Sequence, residues 1–107
     1  LCRYRHNAHA TGHSSRLDRF RPGTTTEDYA REELVAELTS HLVSLHLGLS
    51  PSETVFRNHV AYLASWAGIL RDRPGELLKA AGKAQAACDF ILSIQAEALS
   101  AELAVAA

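Results

Sequence analysis

The sequence predicts an all-α chain built on three main helices. Apolar residues recur at spacings of three and four through most of residues 27–94, and no stretch alternates apolar and polar residues as a strand would. Helix-start signals and Gly or Pro breakers divide that pattern into separate segments.

The first helix is expected from about Glu27 to Leu47. Thr24 and Glu27 stand three apart in a capping-box pattern, Asp28 adds a first-turn negative charge, and Gly48 follows the last turn. Leu34, Leu38, Leu42 and Leu45 make its apolar stripe. Glu33 and Glu37 stand one turn apart on the face beside that stripe. Glu37 lies at the stripe's edge, where a carboxylate is costly to desolvate unless a cation meets it.

The second helix begins in Ser50-Pro51-Ser52-Glu53, which supplies a cap, a first-turn proline and a glutamate to close the box. It runs to about Leu70. Phe56, Val60, Tyr62, Leu63, Trp66, Ile69 and Leu70 make it the element expected to be most buried, with Phe56, Tyr62 and Trp66 in the core. Arg71-Asp72-Arg73-Pro74-Gly75 breaks it. The third helix spans about Glu76 to Ile94, with Leu77, Ala81, Ala84, Cys88 and Ile91 on one face. Residues 1–8 read as a poorly ordered arm, truncated or non-native at its start, or else as part of a short helix that stops at Gly12. Residues 14–26 read as a loop pinned by Leu17 and Phe20, and residues 95–107 as an alanine-rich, frayed helical tail.

A chain of 107 residues suffices for one modest core. No apolar run has the length of a membrane span and the start lacks a signal-peptide apolar region, so no membrane partner is expected. Cys2 and Cys88 are too few for a disulfide framework, which suits a reduced, cytoplasmic protein. The chain begins at Leu1 rather than Met and is expected to be a fragment. Its net charge of −1 argues against a dedicated nucleic-acid-binding surface, but the charge is unevenly spread. Residues 1–22 hold five arginines against one acid, whereas residues 23–53 hold six acids against Arg31 alone. The basic arm and the acidic helix should therefore pack together. The arm could also touch phosphates, but beyond Tyr4 and Phe20 no aromatic platform is interleaved with it.

The segment His6-Asn7-Ala8-His9-Ala10-Thr11-Gly12-His13 collects potential metal ligands, and the carboxylates of the first helix are their natural complement. Histidines and carboxylates converging on one metal ion is the sharp reading. Surface histidines in a polar arm, opposite a solvated acidic helix face, is the plain one. His41 and His46, on or near the leucine stripe, read as satisfied packing histidines, and His59 as structural.

Several segments resemble one family. His9-Ala10-Thr11-Gly12-His13-Ser14-Ser15-Arg16-Leu17-Asp18-Arg19 is similar to the run that follows the zincin motif of ArdC-type antirestriction proteins. Tyr29-Ala30-Arg31-Glu32-Glu33-Leu34-Val35-Ala36-Glu37-Leu38, His59-Val60-Ala61-Tyr62-Leu63-Ala64-Ser65-Trp66 and Lys83-Ala84-Gln85-Ala86-Ala87 match it further, in order, over about residues 9–94. The resemblance implies part of a C-terminal zincin-like metallopeptidase domain, also called the polyvalent-protein metallopeptidase domain, carried on plasmids and phages. It implies Zn2+ as cofactor, a peptide or protein substrate, and single-stranded DNA as partner of an upstream domain absent here. His9 and Glu33 match metal-ligand positions, and Glu37 could orient a ligand histidine from behind.

In H-E-x-x-H the two histidines bind zinc and the glutamate serves as general base on the metal-bound water. Aligned on His9, the five residues here are Arg5-His6-Asn7-Ala8-His9. Arginine stays protonated and has no lone pair to give. His6 replaces the carboxylate base. A rearranged His6/His9 site, or a non-native reading upstream of His9, would each account for the departure. No catalytic residue is assigned, and impaired peptidase function is expected. The alternative is a non-catalytic helical interaction module of a DNA-protection protein.

Overall fold

The computed structural model describes residues 2–20 and 25–106, and every regular element among them is helical. Helix α1 spans Cys2–Ala10, α2 Thr26–His46, α3 Glu53–Ser65, α4 Ala67–Asp72 and α5 Pro74–Ala106. The basic arm is thus a helix that ends two residues before Gly12. The all-α class stands, but the expected second helix is divided in two at Trp66 and the alanine-rich tail continues α5 through Ala106.

Helix α2 is the hub. It packs against α5 on one side and α1 on another, so its buried residues, Leu34, Val35, Ala36, Glu37, Thr39, Ser40, Val43 and Ser44, wrap most of its circumference. A single leucine stripe is therefore too simple a description: Leu45 at the stripe's end is 74% exposed. Buried Thr39, Ser40 and Ser44 donate their hydroxyl protons to the carbonyls of Val35, Glu37 and Ser40, which lets polar residues sit inside. Helix α5 meets α2 through Ala80, Ala84, Ala87 and Cys88, small side chains at i, i+4, i+7 and i+8 that allow close approach. The contact face is thus rotated from the expected one, and Leu77 and Ala81 point outward.

The expectation that the second helix is most buried is not met. In α3 only His59 is buried; Tyr62, Leu63 and Trp66 pack partly buried against Leu34, Val35 and Ala80, while Phe56 is 55% exposed. The aromatic-rich pattern covers the core from outside rather than forming it.

The caps sit close to their predicted places. Thr25, with Asp28, forms the capping box of α2: Asp28 N–H donates to Thr25 Oγ1 at 3.1 Å and Thr25 N–H to Asp28 Oδ2 at 3.2 Å. The expected partner Thr24 lies outside the described residues. At the other end Gly48 adopts φ +67° and the turn closes with Leu49 N–H on Ser44 O and Gly48 N–H on Leu45 O, a Schellman arrangement. Ser52, rather than Ser50, caps α3. Between α1 and α2 the chain doubles back: Leu17 N–H donates to Thr11 O, and Arg19 and Phe20 N–H both donate to Gly12 O. A Cβ at Gly12 would stand 2.8 Å from the Phe20 ring, so a larger residue there would require that ring to shift.

Candidate functional site

Arg5 and His9 lie one turn apart on α1 and face Glu33 and Glu37 on α2. Arg5 Nη2 donates to Glu33 Oε2 at 2.5 Å, and its Nε stands 3.5 Å from Glu37 Oε2. His9 Nε2 is 3.1 Å from Glu33 Oε1 and its Nδ1 3.4 Å from Glu32 Oε1. The Arg5 guanidinium also lies over the Tyr62 ring at 5.9 Å, a cation–π contact from α3. The attraction between basic arm and acidic helix is realised in these pairs.

Glu32, adjacent in sequence, serves the fold. Arg19 grips it with two hydrogen bonds, Nε to Oε2 at 3.1 Å and Nη2 to Oε1 at 2.8 Å. The same guanidinium donates to Thr11 Oγ1 and to the Ala8 carbonyl, each at 2.7 Å, and so locks the turn onto the end of α1. Burial pushes the Glu32 carboxyl up, but hydrogen bonds from His9 and Arg19 and the Arg19 charge outweigh it and hold it below its ordinary value. A cleft of about 270 Å³ lined by His9, Phe20, Tyr29, Glu32 and Glu33 opens beside this end of the site.

One turn deeper, Glu37 is 1% exposed. Its Oε2 faces Arg5, while its Oε1 touches His59 Nδ1 and lies 3.6 Å from His41 Nε2. The His41 and His59 rings meet edge-on with centroids 4.2 Å apart. Burial lowers the pKa of both imidazoles, and the nearby Arg5 charge lowers that of His59 further. Among the described residues neither Nε2 atom, both buried, has a hydrogen-bond partner.

The model of the zincin-like metallopeptidase family matches residues 3–83, which include every residue of this site. The chain belongs to that family. Among relatives, two Escherichia coli proteins named DNA primase TraC are 40% and 39% identical over 88 residues, 81% of this chain in each case. The chain spans only 6% and 8% of their lengths. An uncharacterised protein, y4eC, of Sinorhizobium fredii is 36% identical over 100 residues, 92% of this chain and 32% of its own length. No solved structure matches the chain.

A zincin centre needs three protein ligands and an open fourth position. His9 Nε2 meets Glu33 Oε1 at the expected place, but Arg5 stands where the resemblance puts the first histidine and lays a permanent positive charge on the same carboxylate. The residues present do not fit the family's zinc centre. His6 is exposed, and His13 is occupied by Ser15, whose Oγ lies 2.8 Å from His13 Nδ1. Glu37 directs its oxygens to Arg5, His41 and His59.

His41, expected as a satisfied packing histidine, and His59, expected as structural, each leave a buried Nε2 without a hydrogen-bond partner among the described residues. One signal was present: Glu37 and His41 are four apart, a spacing that places two ligands on one helix face. His59, on another helix, carried no such signal.

Proposed function

We propose that this chain is part of a zincin-like metallopeptidase domain of an ArdC-type antirestriction protein from a plasmid or phage, acting in the cytoplasm, with its peptidase site silenced. The observation that carries the reading is the Arg5 guanidinium on Glu33. That contact supplies a fixed positive charge in place of a metal ligand, and His6 offers no carboxylate to take a proton from water. In the whole protein single-stranded DNA would be held by a separate upstream domain. The relatives named DNA primase are compatible with a nucleic-acid context, and the chain covers a small part of each.

The test is restoration of the motif by Arg5→His/His6→Glu, with and without Glu33→Ala. The expected result is one zinc more per chain than the native protein binds, lost again when Glu33→Ala is added, with no peptide hydrolysis by the native chain. Chelator-sensitive peptide hydrolysis by the native chain, abolished by Glu33→Ala, would overturn it.

A second reading, a helical interaction module within a longer DNA-protection protein, is favoured by one observation. Helix α5 leaves Leu78, Leu99, Leu103 and Val105 between 58% and 89% exposed. The two readings are compatible, since a silenced domain can persist through its contacts.

A further inference from the structure

We propose that Glu37, His41 and His59 form a divalent-metal site of their own, suited to Zn2+ and separate from the His9–Glu33 end of α2. Each offers a ligand atom, and these atoms lie within 4.8 Å of one another. Glu37 and His41 come from successive turns of α2 and His59 from the buried face of α3, so the ion would tie the two helices together.

Two observations point to a ligand rather than to packing. The Nε2 atoms of His41 and His59 are buried and unpartnered among the described residues. The His59 side chain is only 8% exposed, so that nitrogen is shut away from bulk solvent. An unpaired buried acceptor costs about 1–3 kcal/mol, and buried polar groups are normally partnered. A cation that accepts a lone pair removes that cost.

The donor chemistry fits. Two imidazoles and one carboxylate form a borderline nitrogen–oxygen set that zinc accepts, with room for a fourth ligand. Two ligand atoms on a tetrahedral zinc, each about 2 Å from it, stand about 3.3 Å apart. Glu37 Oε1 and His41 Nε2 are already 3.6 Å apart. Arg5 touches the other Glu37 oxygen, but its charge is balanced by Glu33, so the incoming cation meets a carboxylate whose inner oxygen remains available. The His41 side chain is 32% exposed, giving the ion a way in and water a fourth position.

The experiment is calorimetric titration of the chelator-stripped chain with ZnCl2, alongside His41→Ala, His59→Gln and Glu33→Ala. Circular dichroism reports the fold of each variant. Co2+ absorption reports tetrahedral coordination. The expected result is one Zn2+ per native chain, with affinity reduced more than about tenfold in folded His41→Ala and His59→Gln. His41→Ala is the decisive variant because its side chain is partly exposed and its loss leaves the core intact. No zinc binding by the folded native chain would overturn the proposal. So would equal binding by folded His41→Ala, or binding lost in Glu33→Ala but kept in His41→Ala, which would move the ion to the outer carboxylates. The proposal does not depend on the silenced-peptidase reading: that reading is tested by zinc gained on restoring the motif, and this one by zinc bound by the native chain.

Discussion

The two ends of the acidic face on α2 solve the same electrostatic problem in opposite ways. At the outer end Glu32 and Glu33 are met by Arg19, Arg5 and His9 and keep partial contact with solvent. At the inner end Glu37 shares Arg5 with Glu33 and otherwise faces two imidazoles whose pKa values burial lowers. Positive charge is ample outside and scarce inside, although desolvation makes it more valuable inside. At the outer end the cation between the carboxylates is a side chain, the Arg5 guanidinium on Glu33. At the inner end the Nε2 atoms of His41 and His59 have no hydrogen-bond partner among the described residues.

The largest test of this contrast is to remove each carboxylate in turn. In metal-free chain, Glu37→Ala leaves a cavity in a site 1% exposed, removes the carboxylate on His59 and takes one of two from Arg5, and is expected to cost about 3–5 kcal/mol. Glu33→Ala removes a carboxylate whose side chain is 22% exposed and should cost about 1 kcal/mol, because water can replace the lost partner. Urea unfolding of the two variants measures both. Equal losses would mean that depth along the face does not matter, and the contrast would fall.

Arg19 sharpens the outer half. Its side chain is 7% exposed and it makes four hydrogen bonds, two of them to Glu32. Arg19→Ala is expected to cost about 2–3 kcal/mol, and Arg19→Lys to recover little, since an ammonium cannot reproduce the bidentate fork. Recovery of most of the stability by lysine would show that charge alone holds the turn. Urea midpoints of the pair decide it.

Much of the fold was legible in the sequence, and the reasons differ by element. The start and end of α2 were close to right because capping and Gly48 act locally. The burial of α3 was misread because aromatic content reports hydrophobicity and not position: the hub turned out to be α2, whose alanine, threonine and serine pack where larger residues would not fit. The meeting of His9 with Glu33 was anticipated, since charge complementarity and the family resemblance both placed them together. The Glu37–His41–His59 cluster was not, because it joins two helices whose relative rotation no local pattern encodes.

The smallest effect lies at the solvent-exposed start of the same helix, where a carboxylate acts without burial. Asp28 accepts the Thr25 N–H and then the Thr25 hydroxyl, with a further contribution from Arg31, and its pKa is held below the ordinary carboxyl value. A carboxyl with a depressed folded-state pKa contributes stability in full above its ordinary value and loses that contribution as pH falls through the lowered one. The native chain should therefore melt slightly above Asp28→Asn at neutral pH, by a gap that stays constant down to about the ordinary carboxyl value and closes in stronger acid. Acid loss of the Glu32–Arg19 pair lowers both melting curves alike and cancels in the difference. A gap that persists unchanged into strong acid would place the Asp28 contribution in shape rather than charge. It would also remove the exposed reference against which the buried Glu37 is judged.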